Sequence, residues 1–112
     1  MNPQIKQKWV SALRSGDYQQ TQEHLRTEDG FCCLGVLCDL YGKENNVEWK
    51  LPGMSPYYGF QSCVVELPLS VMEWAGVEDD DPYISAKRNT LAVINDNGTT
   101  FNEIADLIEE HL

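Results

Sequence analysis

Hydrophobic positions recur at helical spacing at both ends of the chain. Near the start Ile5, Trp9, Ala12 and Leu13 fall on one face, with Lys6, Lys8 and Arg14 turned toward water. Asn2 followed by Pro3 supplies an N-cap and a first helical position, and Gly16 supplies the stop. At the other end Phe101, Ile104, Ala105, Ile108 and Leu112 make one apolar stripe. Thr100 and Glu103 have the T-x-x-E spacing of a capping box, which satisfies two backbone amides at the start of that helix.

Between these ends the pattern changes. Residues 17–30 are polar, with a turn signal at Glu28-Asp29-Gly30 and a short strand expected over Gln22–Arg26. The run Phe31–Gly42 is apolar nearly all round, which predicts a helix buried at the centre. Gly35 is expected to let a neighbouring element come close, and Gly42 to end the helix. Val47–Lys50 and Cys63–Leu67 alternate in part and predict a small antiparallel pair, joined through a turn-rich loop over 51–59. A third helix is expected to begin near Pro68, to bury Leu69, Met72 and Trp74, and to stop at Gly76. The acidic run Glu78–Asp81 is expected to be exposed, Tyr83–Ser85 to form a short edge strand, and Leu91–Asp96 a short helix closed by Gly98. The fold class that follows is α+β: a single domain over residues 1–112, with four or five helices around the central one and a small antiparallel sheet at one side.

Charge narrows the function classes. The net charge is -10, and it is uneven. Residues 1–26 hold four basic and two acidic residues, whereas residues 27–112 hold four basic and sixteen acidic. Such a surface repels phosphate backbones, so direct nucleic-acid binding is not expected, while a basic protein partner is favoured. No stretch approaches the roughly 20 apolar residues of a membrane span, and MNPQIKQKW lacks the apolar run of a secretory signal. Of the four cysteines, Cys32 and Cys33 are adjacent and Cys38 shares their apolar segment. Neighbours on a helix point apart and pair poorly, so the reading is free, buried thiols in a reducing cytoplasm.

Several motifs together carry a resemblance. They are Trp9-x3-Leu13-Arg14-Ser15-Gly16, Leu25-Arg26, Phe31-Cys32-Cys33-Leu34-Gly35-Val36-Leu37-Cys38-Asp39, Leu67-Pro68, Trp74-x-Gly76, Asn95-Asp96-x-Gly98 and Phe101-x-Glu103-Ile104-Ala105-Asp106-x-Ile108-Glu109. With these the chain resembles a family of small proteins encoded by tailed bacteriophages and prophages. The resemblance implies phage origin and expression in the cytoplasm of a bacterial host. It implies no activity, and it does not extend to the tract 45–60.

Four constellations of residues could carry chemistry. Cys32 or Cys33 at a helix start, with His24 or His111 as base, would suit a thiol enzyme. The competing reading is that thiols in so apolar a segment are core. The cysteines and histidines do not have zinc-ligand spacing, and Asp79–Asp81 does not fit a calcium loop, so no metal and no cofactor is expected. Arg14, Arg26 and Arg88, with Trp9 or Tyr83 to stack on a base, would suit a small phosphorylated ligand or nucleotide. Glu78, Asp79, Asp80 and Asp81 with Glu103, Asp106 and Glu110 would form an acidic face that engages a host protein by imitating DNA phosphates.

The leading expectation is a non-catalytic phage accessory protein that binds and modulates a host protein, for instance to counter a defence. The alternatives are a small-ligand binder and a thiol-dependent enzyme.

Overall fold

The computed structural model describes residues 1–51 and 57–112. The first helix, α1 (Pro3–Arg14), starts as its sequence requires. The Asn2 side chain accepts the amides of Gln4 and Ile5. Ile5, Trp9, Val10 and Leu13 form its buried face, and α1 packs against both the last helix and the central one. The last helix, α5 (Phe101–His111), begins with the complete Thr100–Glu103 capping box and buries Phe101, Ile104, Ala105, Leu107 and Ile108.

The central helix, α2 (Cys33–Asn45), is buried continuously from Cys33 to Cys38. Gly35 is required by a close approach: a Cβ there would lie 1.8 Å from the Leu25 carbonyl oxygen. Gly42 does not end the helix, contrary to expectation. α2 runs on to Asn45 and is closed by Asn46 in the left-handed region, at φ 57°. What Gly42 provides is room. A Cβ there would meet the Val47 carbonyl at 2.5 Å and the Phe60 ring at 3.1 Å.

The strands are shorter and differently placed than the alternation suggests. β1 (Arg26–Thr27) pairs antiparallel with β2 (Gly30–Phe31), Arg26 opposite Phe31. β3 (Tyr83–Ile84) pairs with β4 (Asn89–Thr90) around a 3-10 turn at Ser85–Lys87. The expected strand over Gln22–Arg26 survives only as Arg26. The expected pairing of 47–50 with 63–67 is not made. Lys50 bridges Gly59 instead, Cys63 bridges Phe60, and the Val64 carbonyl accepts the Leu25 amide. The turn-rich loop expected over 51–59 lies largely outside the described residues.

α3 (Leu69–Ala75) follows Pro68 and stops at Gly76, but its face is rotated from the expected one. Val71 and Ala75 are buried, Met72 and Trp74 are half-buried, and Leu69 is 66% exposed. The constraint is tertiary: the Asn2 amide donates to the Ala75 carbonyl at 2.8 Å, which fixes the end of α3 against the start of α1. α4 (Leu91–Asp96) completes the set. The architecture is α+β, with five helices and two small antiparallel sheets among the described residues. No described helix is long and apolar enough to cross a membrane.

Candidate functional site

A groove of about 800 Å³ lies between the C-terminal half of α2, the 47–51 segment and β1. Arg26 lies in its wall. β1 pairs with β2 and so brings Arg26 beside Phe31, and the Tyr58 amide donates to the Arg26 carbonyl at 3.2 Å. The guanidinium carbon consequently stands 4.3 Å from the Tyr58 ring centroid, 4.8 Å from Phe31 and 5.5 Å from Trp49. Rings at such distances attract a cation through their quadrupoles. No carboxylate among the described residues pairs with Arg26, although the chain holds eighteen acids.

The lining also carries a polar network on α2. Asp39 accepts hydrogen bonds from the Tyr18 hydroxyl at 2.5 Å and the Trp49 indole N–H at 3.0 Å, and Lys43 lies 3.2 Å away. Lys43 is one helical turn on from Asp39, so both project to the same side. Burial pushes the Asp39 carboxyl up, but the three donors outweigh it and hold the group below its ordinary value. Tyr18 is raised, by burial first and then by its bond to Asp39. The Trp49 ring is thereby fixed in orientation between Phe31 and Phe60.

The five residues singled out for a small ligand do not converge. Trp9 is fully buried and its indole N–H donates to the Cys33 carbonyl at 3.0 Å, so it is core and cannot stack on a ligand. Arg14 is held by Asp106 at 2.6 Å and Glu109 at 3.0 Å, across from α1 to α5. Arg88 is exposed beyond the 3-10 turn, and Tyr83 belongs to a different depression. Arg26 alone stands in the groove. The residues that sequence reasoning missed there are Asp39, Lys43, Trp49, Tyr58 and Tyr18. Only the i, i+4 spacing of Asp39 and Lys43 was readable in advance.

The acidic set is also divided. Glu78 and Asp79 line a depression of about 300 Å³ with the exposed Tyr83, His111 and Leu112, which brings them to the same end as Glu110. Asp80 is exposed. Asp81 is not exposed as expected. It is half-buried and accepts the Ala92 amide at 2.9 Å, in the first turn of α4. Glu103 is engaged in its capping box and Asp106 in the Arg14 pair.

Three of the four thiols lie inside, and Cys63 is half-buried. Cys32, Cys33 and Cys38 are buried, and Cys33 directs its sulfur toward the Leu91 carbonyl at 3.7 Å. Burial pushes Cys32 up to about 11, and the Gly35 and Leu34 amides at the helix start only partly oppose it. Cys33 and Cys38 are also raised well above the ordinary thiol value, again by burial first. His24 stacks on Tyr57 at 3.5 Å and His111 stands 3.8 Å from Glu110. No described group of three or more His, Cys, Asp or Glu is arranged to hold a metal.

Compared with known families, residues 1–112 match the model of a domain of unknown function, DUF8296. The chain belongs to this family. No curated protein and no solved structure gives a significant match.

Proposed function

We propose that this DUF8296 protein acts by binding rather than by catalysis, and that the groove around Arg26 is its recognition site. The observation that supports this reading is Arg26 itself: a half-buried guanidinium set among three rings, with no carboxylate partner among the described residues. In so acidic a chain a cation left without an acid, beside a cavity, is a site for an external anionic group. The motif resemblance to small phage and prophage proteins supports placing this binder among phage accessory proteins working in the bacterial cytoplasm. The test is thermal unfolding of the wild type and Arg26→Gln against a panel of small phosphorylated and carboxylated compounds and acidic peptides. A rise in melting temperature that vanishes in Arg26→Gln supports the reading. A panel without any Arg26-dependent rise contradicts it.

A second reading keeps the host-protein partner at the other end of the molecule. Glu78 and Asp79 line the depression there beside the exposed Tyr83 and His111, and His111 stands 3.8 Å from Glu110, which suits a basic surface. Affinity capture from host lysate that is lost at high salt and in the Asp79→Asn, Asp80→Asn double variant supports it. Capture unchanged by both contradicts it.

A further inference from the structure

We infer that the groove takes a ligand of the mononucleotide class, one phosphate monoester carried on a planar ring, with Arg26 and Lys43 on the phosphate and the ring against Trp49 and Tyr58. This rests on the reading of the groove as the binding site.

The two cations have donors to spare. A guanidinium carries five N–H donors in its plane, and the rings around Arg26 interact with its charge without accepting those N–H bonds. A planar fork of this kind fits two phosphate oxygens at once. An ammonium carries three donors. Lys43 directs two of them at Asp39 and the Tyr18 hydroxyl, at 3.2 and 3.3 Å, and keeps one. Asp39 does not oppose an incoming anion as a free carboxylate would, because Lys43, Tyr18 and Trp49 already answer its charge. Glu48 is the exposed acid of the lining, without an ion pair among the described residues. It is the group such a ligand meets as a repulsion.

Shape and charge choose among anions. The cavity, about 800 Å³, is within the roughly 300–1,000 Å³ of small-molecule sites. An indole and a phenol in the lining offer ring surface on which a base can stack. The net charge of -10 repels a strand phosphate by phosphate. A single monoester meets that repulsion once, next to the unpaired Arg26 and the spare N–H of the Lys43–Asp39 pair.

The experiment is calorimetric titration of the full chain with the four common ribonucleoside monophosphates, their nucleosides, inorganic phosphate and an acidic tetrapeptide. At least one monophosphate is expected to bind tenfold or more tightly than both its nucleoside and phosphate. Arg26→Lys, which keeps charge and loses the fork, is expected to weaken it at least tenfold, and Glu48→Gln to tighten it severalfold. Near-UV circular dichroism checks each variant's fold. If the Arg26 variant does not fold, the wild-type comparison and Glu48→Gln decide. No monophosphate preferred over its nucleoside and phosphate overturns the inference. Tetrapeptide binding that depends on Arg26, with no monophosphate binding, overturns the ligand class and leaves the groove standing. No Arg26-dependent binding of any probe overturns both.

Discussion

The Asn95 side-chain oxygen accepts the backbone amide of Cys33 at 3.2 Å, and this bond ties α4 to the first turn of the central helix. Asn95 is fully buried and fully used. The same oxygen accepts from Gln20 Nε2 at 2.9 Å, and its amide donates to the Thr21 carbonyl at 2.8 Å. One side chain thus joins the polar 17–30 segment, α2 and α4.

Asn95→Leu removes that junction and leaves the Cys33 amide and the Thr21 carbonyl without partners. Each buried group left unpaired costs about 1–3 kcal/mol. The expected loss is about 2–4 kcal/mol, measured as the shift in urea midpoint at constant slope. A loss within 0.5 kcal/mol of zero, roughly the range of surface substitutions, contradicts the central placement of Asn95.

Gly35→Ala puts a methyl group where the Leu25 carbonyl oxygen already lies, at 1.8 Å. Backbone meets side chain there, and neither can rotate away. The expected destabilisation exceeds about 3 kcal/mol, seen as loss of soluble folded protein or of its cooperative thermal transition. A wild-type melting temperature in Gly35→Ala is incompatible with this packing.

Much of this helical frame is legible in the sequence, for physical reasons. α1 and α5 each combine a capping side chain with several turns of apolar period, so local signals agree. The face of α3 is not legible. Seven residues make only two turns, and the Asn2–Ala75 bond that fixes its end comes from another part of the chain. The strands are two residues long, too short to show alternation. Arg26 can be picked out by residue type, but its setting cannot. Phe31 arrives through the β1–β2 pairing, Trp49 and Tyr58 from beyond α2, and no local spacing records that meeting. Trp9 shows the converse: an aromatic at helical spacing beside arginines reads equally as stacking platform or core, and burial decides for core.

The cysteine helix is interior scaffold, and its thiols are expected to be inert. With Cys32 at about 11, only about one thiol in a thousand is ionised at pH 8. Iodoacetamide at pH 8 followed by mass spectrometry should leave Cys32, Cys33 and Cys38 unmodified in folded protein and label all four in urea. Half-buried Cys63, raised by burial and by Glu66 and Asp80, should label slowly. Rapid labelling of Cys32 or Cys33 in the folded state would reopen a thiol mechanism.

Asp39 gives the groove an acid dependence of known sign. Its carboxyl is held below the ordinary value in the folded chain, despite its burial, by Tyr18, Trp49 and Lys43. A group lowered on folding contributes stability above its unfolded pKa, about 3.9, and loses it as pH falls through the folded pKa. The stability advantage of wild type over Asp39→Asn is therefore expected to be constant near neutrality and to shrink below about pH 4. An advantage that grows on acidification has the wrong sign.

The most direct measurement of the groove's role is a proton–nitrogen NMR titration of the three tryptophan indoles with a ribonucleoside monophosphate. Trp49 lines the groove and donates to Asp39, whereas Trp9 is sealed against Cys33. The expected result is a saturable shift of the Trp49 signal, with Trp9 unmoved, abolished in Arg26→Gln. A Trp49 signal that stays fixed at millimolar ligand, or moves equally in Arg26→Gln, contradicts the groove as the binding site for such a ligand.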